Sequence, residues 1–461
     1  MRQLFTLGQA ADITAGRLVA GSANLSVGSV AVDGRAVLPG GLFVALTGRR
    51  VDGHQFLDQA ARNGARAAMI SRPVPAAPGS LGLLMVTDPV AALGRLARWY
   101  RARLPVEVVA VGGSVGKTTT KDFIGQVLAT RWRVYRTPGN WNTEIGVPLC
   151  VFELDRSHRL AVLELAMRRR GEISYLARMV RPRVGVVTDV SEEHIELLGS
   201  MEEVARAEAE LIENLPADGL AVLNGDNPYV RGMAAECPCP VVFYGTAADC
   251  QVRLEAYRPR QLQGGWALVR VDGETLELTL PVPGRHLAFN ALAAVAVGRH
   301  YGLSGAEIAD ALSRAQLTRM RMEVKRFGDL VVIDDAYNAS PASMMAALEV
   351  LDQARGPRRI AVLGNMLELG DHSRQAHLRV GAAVAARDVQ LLVCVGELAR
   401  LIGEEARRRG MPQDSVVLLG DSQEAARKVP QLVQPGDVVL VKGSRGMRME
   451  LVVDALREAR P

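Results

Sequence analysis

Residues 105–120 read PVEVVAVGGSVGKTTT and decide the fold of the middle of this chain. A short apolar run of β-branched residues leads into a glycine-rich turn, a lysine and three hydroxyl side chains. This order is typical of a strand, a phosphate-binding loop and a helix N-terminus, where free backbone N–H groups and the helix dipole attract an anion. Lys117 is placed to reach the β- and γ-phosphates, and Thr118 to offer its hydroxyl to Mg²⁺. The stretch predicts a nucleoside triphosphate site.

The loop departs in one detail from the general signature G-x-x-x-x-G-K-[ST]. The residue five places before Gly116 is Val111, so the first glycine comes one place late. A glycine-rich turn without a ligand is the alternative interpretation. The strand, the Gly-Lys-Thr run and the helix occur together, and this combination favours phosphate binding.

The bulk composition bounds the class of protein. A chain of 461 residues, 48% hydrophobic and 23% charged, predicts a globular protein of two or three domains. No apolar run reaches the length of a membrane span, and the first residues lack the pattern of a secretory signal. The five cysteines are scattered, and Cys237-Pro-Cys239 has no second pair or nearby histidine to complete a zinc site. We expect reduced thiols in a cytoplasmic protein.

The net charge of +5 does not by itself predict nucleic-acid binding. Basic residues are interspersed with acidic ones, and the aromatic share of 4% leaves few stacking platforms for bases. An anionic small substrate explains the excess of positive charge equally well. We expect no nucleic-acid partner, no membrane insertion and a monomer.

Alternation of strand-like and helix-like segments predicts an α/β protein of three domains. A small α/β domain is expected at residues 1–100, with strands at 41–46, 65–70 and 82–87 and a helix at 88–103 following them. A central ATPase-type domain with a mostly parallel sheet is expected at 101–316. Its residues 251–282 alternate as in an antiparallel patch, and a helix follows at 287–301.

The third domain is expected at residues 317–461 and to be doubly wound and Rossmann-like. Five strand-like runs are each followed by a helical pattern, at 330–335, 359–364, 391–396, 415–420 and 437–443. Ligands of such sheets bind at the carboxyl ends of the strands. The polar strand ends at 334–335, 364–365 and 442–445 are therefore expected to cluster on one rim.

Phosphoryl transfer needs a metal, and the central domain offers candidate ligands for one at its strand ends. Glu164 closes a strand-like run, His194 follows another, and Glu208 lies on the next helix. With Thr118 they form a candidate Mg²⁺ set, although a lone histidine or helix-face glutamate is more often structural. From these patterns alone we expect an ATP-dependent α/β enzyme of unknown substrate.

Longer motifs in all three domains resemble the Mur ligase family, and in particular its branch that adds a D-alanyl-D-alanine dipeptide. The most discriminating segment is IDDAYNASPASM at 333–344, where ligases adding the third amino acid carry a different sequence. The resembling segments are LFVALTGRRVDGHQF (42–56), GGSVGKTTTKDF (112–123), PGNWNTEIGVPL (138–149), LELAMRRRGEIS (163–174), GRHLAFNALAA (284–294), IDDAYNASPASM, VLGNMLELG (362–370) and VKGSRGMRME (441–450).

The resemblance implies a role for individual residues. Lys117, His194 and Arg321 would act in catalysis, with Thr118, Glu164, His194 and Glu208 around two Mg²⁺ ions. ATP would contact Gly113, Ser114, Val115, Gly116, Lys117, Thr118, Thr119, Asn290, Arg321 and Asp334. The acceptor and dipeptide would lie towards Asn142, Thr143, Asn338, Lys442, Ser444 and Arg445.

The implied reaction joins a carboxylate to an amine. The terminal carboxylate of UDP-MurNAc-tripeptide, bound by the first domain, would attack the γ-phosphate of ATP and form an acyl-phosphate. The amine of D-Ala-D-Ala would then attack the carbonyl and expel phosphate, as a step in cytoplasmic peptidoglycan precursor synthesis. The third domain would close over the site about a hinge near residues 316–320 and exclude water.

The sequence departs from the family pattern at several positions. Glu208 stands where the family has a lysine that many members carbamylate to bind the second Mg²⁺, and we expect its carboxylate to supply that oxygen directly. Gly112 replaces the usual threonine. Gly34 breaks a D-S-R segment on the uridine side, and Ser340 replaces an asparagine near the dipeptide side.

Two other classes of function stay open at this point. One is a different amide ligase on the same scaffold, either a third-residue-adding enzyme or one similar to folylpolyglutamate synthase. The other is a catalytically silent homologue that binds nucleotide as an interaction protein. The intact Lys117, Thr118, Glu164 and His194 argue against a silent homologue, whereas Glu208 leaves it room.

Overall fold

The structure is a computed structural model that describes residues 3–48, 51–74, 79–193 and 195–460. The chain divides into two compact units. The first consists of Met1–Ala110, Trp132–Met167 and Gly171–Arg183, and the second of Val111–Arg131, Arg168–Arg170 and Val184–Pro461. Among helices in the described ranges, none combines the length and apolar character that a membrane crossing needs.

Up to residue 183 the strands are short and alternate with helices. The strands are β1 Phe5–Thr6, β2 Arg17–Ala20, β3 Ser26–Val27, β4 Val30–Ala31, β5 Leu42–Val44, β6 Ala67–Ile70, β7 Gly82–Met85, β8 Glu107–Gly112, β9 Val134–Arg136 and β10 Leu160–Glu164. The helices are α1 Leu7–Thr14, α2 Leu57–Arg62, α3 Pro89–Arg101, α4 Lys117–Leu128, α5 Gly146–Glu153 and α6 Glu172–Val180.

From residue 184 the same alternation continues. The strands are β11 Val184–Val187, β12 Leu220–Asn224, β13 Val241–Gly245, β14 Val252–Pro259, β15 Gly265–Val271, β16 Glu274–Leu280, β17 Glu323–Phe327, β18 Leu330–Asp335, β19 Arg359–Gly364, β20 Leu391–Val395, β21 Val416–Leu419 and β22 Val438–Lys442. The helices are α7 Ile195–Leu198, α8 Met201–Glu213, α9 Pro228–Gly232, α10 Arg285–His300, α11 Gly305–Ser313, α12 Pro341–Asp352, α13 Ser373–Ala385, α14 Arg400–Arg408, α15 Ser422–Leu432 and α16 Glu450–Glu458.

The first unit contains a five-stranded sheet with the order β2-β7-β6-β5-β4. Strands β4 to β7 are parallel, and β2 pairs with β7 in the antiparallel sense. The strands predicted at 41–46, 65–70 and 82–87 are confirmed as β5, β6 and β7. Helix α3 begins where predicted, because the Asp88 side chain accepts hydrogen bonds from the Val90 and Ala91 N–H groups and Pro89 occupies the first turn.

In the second unit, β11 to β16 lie side by side in chain order. Strands β11 to β14 are parallel, and β14, β15 and β16 are antiparallel. The antiparallel patch predicted at 251–282 is therefore confirmed. Helix α10 confirms the helix predicted at 287–301, with a start two residues earlier.

The last sheet has the order β17-β18-β22-β19-β20-β21. Its five predicted strands are all present and parallel, which gives the doubly wound arrangement expected from the sequence. The added edge strand β17 pairs antiparallel with β18 and was not predicted. Its sequence, EVKRF, is half-exposed and charged, and so lacks the apolar run that marked the other strands.

Helices cover both faces of this last sheet. One buried core contains Met344 of α12, Val380 of α13 and Ile402 of α14, and the opposite core contains residues of α15 and α16. The first core also contains Leu287 of α10, with Val282 packed against it. Helix α10, which precedes the third domain in sequence, therefore packs into the core of the last sheet.

The segment that leads into β17 is fixed to α4 by hydrogen bonds. The Gln316 N–H donates to Gln126 Oε1 at 2.9 Å, and the Gln126 amide donates back to the Gln316 carbonyl at 2.7 Å. Asp122 accepts from both the N–H and the hydroxyl of Thr318, at 2.8 and 2.7 Å. The hinge near 316–320 stays a prediction, and these are the contacts that its motion would change.

Candidate active site

The predicted phosphate loop connects β8 to α4 in the way the sequence indicated. Gly116 caps α4 with φ 89° and makes no side-chain cap hydrogen bond, and the first N–H groups of a helix have no intrahelical partner. Gly113 has φ 114°. A Cβ at Gly113 would lie 2.3 Å from Thr188 Oγ1, and one at Gly116 would lie 2.7 Å from Asn290 Oδ1. Both positions need glycine, and the loop can cradle an anion.

The residues after β11 hold the loop from its other side. The Ser114 N–H donates to the Asp189 carbonyl at 2.7 Å, and the Ser191 N–H donates to Ser114 Oγ at 3.0 Å. Thr188 donates its hydroxyl to the Val115 carbonyl at 2.6 Å. Hydrogen bonds to residues 188–191 therefore hold the loop in its shape.

Lys117 is folded back over this loop. Its ammonium donates to the carbonyls of Gly113 at 2.6 Å and Ser114 at 2.8 Å. It also lies 3.3 Å from Glu193 Oε2, with both side chains largely buried. A phosphate entering the loop would meet an ammonium group already positioned above it.

Arg321 reaches the loop from the segment between α11 and β17. Its guanidinium donates to Thr118 Oγ1 at 3.1 Å and lies 4.2 Å from the ring centroid of Tyr337. Met320 and Met322, on either side of it, have φ 60° and 52°. Two non-glycine residues in this sparsely populated region show that the backbone on both sides of Arg321 is strained, as is common at functional sites. The structure thus brings the predicted Arg321 and Thr118 together.

Glu208 lies on α8 and reaches the loop backbone. Its Oε2 accepts the Gly113 N–H at 2.7 Å, and the residue is 3% exposed. A Cβ at Gly112 would come within 3.2 Å of the same oxygen. Two departures from the family pattern, Gly112 and Glu208, are therefore neighbours in space. A metal-binding role for Glu208 stays a prediction.

The predicted residues after β18 and β22 form one connected rim. Lys442 pairs with Asp335 at 2.5 Å and donates to the Asn338 carbonyl at 2.9 Å. Ser444 donates its hydroxyl to the Ala339 carbonyl and accepts the Leu367 N–H at 2.9 Å. The rim predicted from the polar strand ends is present.

Two further rim residues have defined partners. Asp334 is buried and pairs with Lys325 at 2.5 Å; burial raises the pKa of the Asp334 carboxyl above its ordinary value, and the lysine opposes that rise. Arg445 pairs with Glu450 at 3.1 Å, and its guanidinium lies 6.0 Å from the Tyr337 ring centroid. Their expected contacts with ATP and dipeptide stay predictions.

Glu164 lies in the first unit, at the end of β10. Its Oε1 accepts from the Asn142 amide at 2.7 Å, whereas its Oε2 is buried and has no hydrogen-bond partner among the described residues. A buried carboxylate oxygen without a partner is costly unless a ligand completes it. Thr143 contributes its carbonyl to the first turn of α5, where it accepts the Val147 N–H at 2.9 Å.

His194 lies outside the described residues, so the structure does not place this predicted ligand. Within the described ranges no three His, Cys, Asp or Glu side chains group as a ready metal site. Mg²⁺ commonly takes one or two protein oxygens and completes its shell with phosphate and water. The hydroxyl of Thr118 and the open oxygen of Glu164 are donors of that kind.

Glu193 and Tyr337 contact predicted site residues but were not themselves predicted from the sequence. Glu193 stands in a Ser-Glu-Glu-His run, of which only the histidine was singled out. Tyr337 stands inside a segment that was used only for recognition. The only signal for Glu193 in the sequence was its charge beside the candidate ligand His194. Its partners, Lys117 and Asn338, lie far away in sequence.

The first unit contains a cavity of about 930 Å³ beside Gly34. Arg35 in its wall pairs with Asp33 at 2.7 Å, and the Asn63 amide donates to the Gly34 carbonyl at 2.8 Å. Other lining residues come from the loop after β5, such as Thr47, and from the start of α3. The volume suits a ligand of nucleotide size.

Models of three protein families match successive parts of the chain. They are the "Mur ligase family, catalytic domain" at residues 26–101, the "Mur ligase middle domain" at 111–298 and the "Mur ligase, glutamate ligase domain" at 320–445.

Curated relatives match almost end to end. The chain is 35% identical over 432 residues to the UDP-N-acetylmuramoyl-tripeptide–D-alanyl-D-alanine ligase of Bacillus subtilis, covering 93% of each chain. It is 34% identical over 458 residues to the enzyme of the same name from Escherichia coli, covering 98% of each.

Solved structures show the same similarity. MurF from Acinetobacter baumannii superposes with a TM-score of 0.87 at 29% identity, over 98% of this chain and 99% of the other. MurF ligase from Thermotoga maritima in complex with ADP gives 0.81 at 28% identity, over 94% and 97%. The three-domain α/β architecture expected from the sequence is confirmed.

Proposed function

The chain belongs to the Mur ligase family, and from that premise we propose that it uses ATP to join D-Ala-D-Ala to the terminal carboxylate of UDP-MurNAc-tripeptide. One observation of its own geometry supports this most directly: Arg321, from beyond the central sheet, contacts Thr118 of the phosphate loop at 3.1 Å. A phosphate loop completed by an arginine from the third domain suits phosphoryl transfer to a bound carboxylate.

In the first step a carboxylate oxygen of the tripeptide attacks the γ-phosphorus. The bond to the β–γ bridging oxygen breaks, ADP leaves, and an acyl-phosphate remains. Lys117 exchanges its loop carbonyls for phosphate oxygens, and the loop N–H groups hold the β-phosphate. Arg321, whose guanidinium lies over the Tyr337 ring, neutralises charge on the transferred group.

In the second step the amine of D-Ala-D-Ala attacks the acyl carbon. The C–O bond to phosphate breaks, inorganic phosphate leaves, and the nitrogen loses a proton. Asn338, Ser444 and Arg445 lie together on the rim, which supports a role for them in orienting the dipeptide. Water must stay away from the acyl-phosphate, so closure of the third domain is part of the proposal.

Mg²⁺ fits the donor set. We assign Thr118 Oγ1 and Glu164 Oε2 to one ion, because the first is a buried hydroxyl in the loop and the second lacks a partner among the described residues. We assign His194 and Glu208 to a second. When bound, the metal neutralises negative charge on the phosphates. Glu208 already contacts the loop through the Gly113 N–H, and its carboxylate would supply a negatively charged oxygen to an ion bound there.

The cavity beside Gly34 supports binding of the sugar nucleotide by the first domain, which we place at residues 1–100. We place the ATP-binding domain at 101–316 and the domain that closes on it at 317–461. A nucleotide-linked substrate supports a cytoplasmic location, and we propose that the protein acts there as a monomer.

Product formation separates this proposal from its rivals. Purified protein is given ATP, Mg²⁺ and UDP-MurNAc-tripeptide, with and without D-Ala-D-Ala, and both ADP and product mass are measured. We expect rapid ADP release and a new amide product only with the dipeptide. Product from UDP-MurNAc-dipeptide and a diamino acid would favour a third-residue ligase. The absence of ADP release with either set of substrates would favour a silent homologue.

A further inference from the structure

Glu193 lies between β11 and α7 and divides its carboxylate between two partners. Oε2 faces the Lys117 ammonium at 3.3 Å, and Oε1 accepts the Asn338 amide at 3.0 Å. The side chain is 15% exposed. Lys117 belongs to the phosphate loop, and Asn338 follows β18 in the third domain. One carboxylate therefore contacts both the nucleotide side and the closing side of the site.

The contact at Asn338 continues into the rim. The carbonyl of Asn338 accepts from Lys442 at 2.9 Å, and Lys442 pairs with Asp335 at 2.5 Å. A change at Glu193 therefore reaches buried charges at the ends of β18 and β22. Networks of this kind change as a unit, because each buried charge depends on its partner.

We propose that Glu193 is a positioning residue that competes with phosphate for Lys117 and holds Asn338 in place while it does so. A nucleotide must take Lys117 from Glu193, since one ammonium cannot satisfy the carboxylate and the phosphates with the same geometry. The affinity for nucleotide is therefore lowered by the negative charge of Glu193. The inference rests on the proposed function only in taking Lys117 as a phosphate ligand.

Two variants separate the two contacts. Glu193→Gln keeps a carbonyl oxygen for the Asn338 amide but removes the charge and presents an NH₂ group to Lys117. Glu193→Ala removes both contacts. Glu192→Gln is the matched control, because the neighbouring Glu192 pairs with Arg379 of the third domain at 2.5 Å and not with the loop.

Nucleotide affinity is measured by calorimetry with ADP and with a non-hydrolysable ATP analogue, and hydrogen exchange is followed in residues 336–340. We expect both Glu193 variants to bind nucleotide roughly two- to tenfold more tightly, as loss of one partly buried ion pair predicts. Only Glu193→Ala should speed exchange in 336–340. Glu192→Gln should leave nucleotide affinity as in the wild type.

Unchanged or weaker nucleotide binding by a folded Glu193→Gln variant would overturn the proposal, and so would equal exchange in the Gln and Ala variants. Folding is checked by thermal melting. Neither readout requires product formation. A wild type that binds nucleotide but makes no amide product would therefore reject the proposed reaction and leave this inference standing.

Discussion

The carboxylate of Glu208 and the backbone of Gly113 are joined by a hydrogen bond of 2.7 Å across 95 positions of sequence. The phosphate loop therefore has a protein anion at one of its own N–H groups. Glu208 is buried, so this charge is part of the site and not a solvated surface group. Substitutions of Glu208 and of the residues around it therefore test the site directly.

Glu208→Gln should separate the hydrogen bond from the charge. Glutamine keeps an oxygen for the Gly113 N–H, so the loop should stay intact while the metal loses a hard anionic ligand. We expect turnover to fall roughly 10- to 100-fold and the Mg²⁺ requirement to rise. Rates are measured across a Mg²⁺ titration, with Glu210→Gln on the same helix as control. Unchanged turnover and Mg²⁺ dependence would remove Glu208 from the metal site.

Gly112→Thr should disturb the same corner by crowding. A Cβ there meets Glu208 Oε2 and Leu211 Cδ2, each at 3.2 Å. We expect a loss of about 1–3 kcal/mol in the free energy of unfolding, measured with urea. Gly232→Ala is the control, because a Cβ at Gly232 meets nothing within 4 Å. Equal stability of the two variants would show that this corner tolerates added volume.

Arg321→Lys should weaken catalysis through geometry and not charge. Lysine keeps the positive charge but loses the guanidinium that lies over the Tyr337 ring and donates to Thr118. We expect kcat to fall on the order of 100-fold. Arg319→Lys, at an exposed position in the same turn, serves as control, and Tyr337→Phe should stay near wild type. A near-normal rate for Arg321→Lys would count against its assigned role.

Stability should fall in mild acid because of His377. Its Nδ1 donates to the Ser373 carbonyl at 2.7 Å and its Nε2 accepts the Met366 N–H at 3.0 Å, so the folded protein needs the neutral ring. Burial lowers the pKa of His377 below its ordinary value. The unfolded chain binds the proton more readily, so this contribution is complete above about pH 6.5 and declines as the pH falls below it.

Urea unfolding at pH 7.5 and pH 5.0 measures the effect of His377. The pH dependence should be smaller in His377→Gln than in the wild type. His372→Gln, at an exposed position one turn earlier, should leave the slope unchanged. The same slope in all three proteins would assign the acid sensitivity to other groups.

Closure about residues 316–320 should appear in solution scattering. We expect the radius of gyration to decrease when an ATP analogue and UDP-MurNAc-tripeptide are both present, with ADP alone as control. Asp122→Ala removes both side-chain contacts to Thr318 and should alter the free-state curve. Identical curves with and without ligands would reject the hinge.

Much of this fold is readable from sequence, for a physical reason. Strands such as β19 and β22 are buried on both faces, and a continuous apolar run between polar residues marks them clearly. The edge strand β17 has solvent on one side and no such run. The phosphate loop is equally local, because its strand, turn and helix are consecutive.

Contacts between residues distant in sequence could not be predicted in the same way. Glu193 and Asn338 are 145 positions apart, and no local sequence pattern at either residue indicates the other as its partner. The pairing of Asp334 with Lys325 is closer in sequence, but it could not be predicted either, because it depends on the unpredicted strand β17. The resemblance gave expected roles to individual residues, whereas the folded chain shows which of these side chains already have protein partners.

Leu287 lies in the core of the last sheet, three residues before Asn290 at the phosphate loop, on the same helix. Removing the third domain at residue 317 would expose Leu287 and Val282 to water, and removing the central domain would leave a hole in the core of the third. We therefore expect neither domain to fold stably when it is expressed alone. Studies of this domain pair therefore call for the whole chain, because the second unit also contains Val111–Arg131, with the phosphate loop and α4.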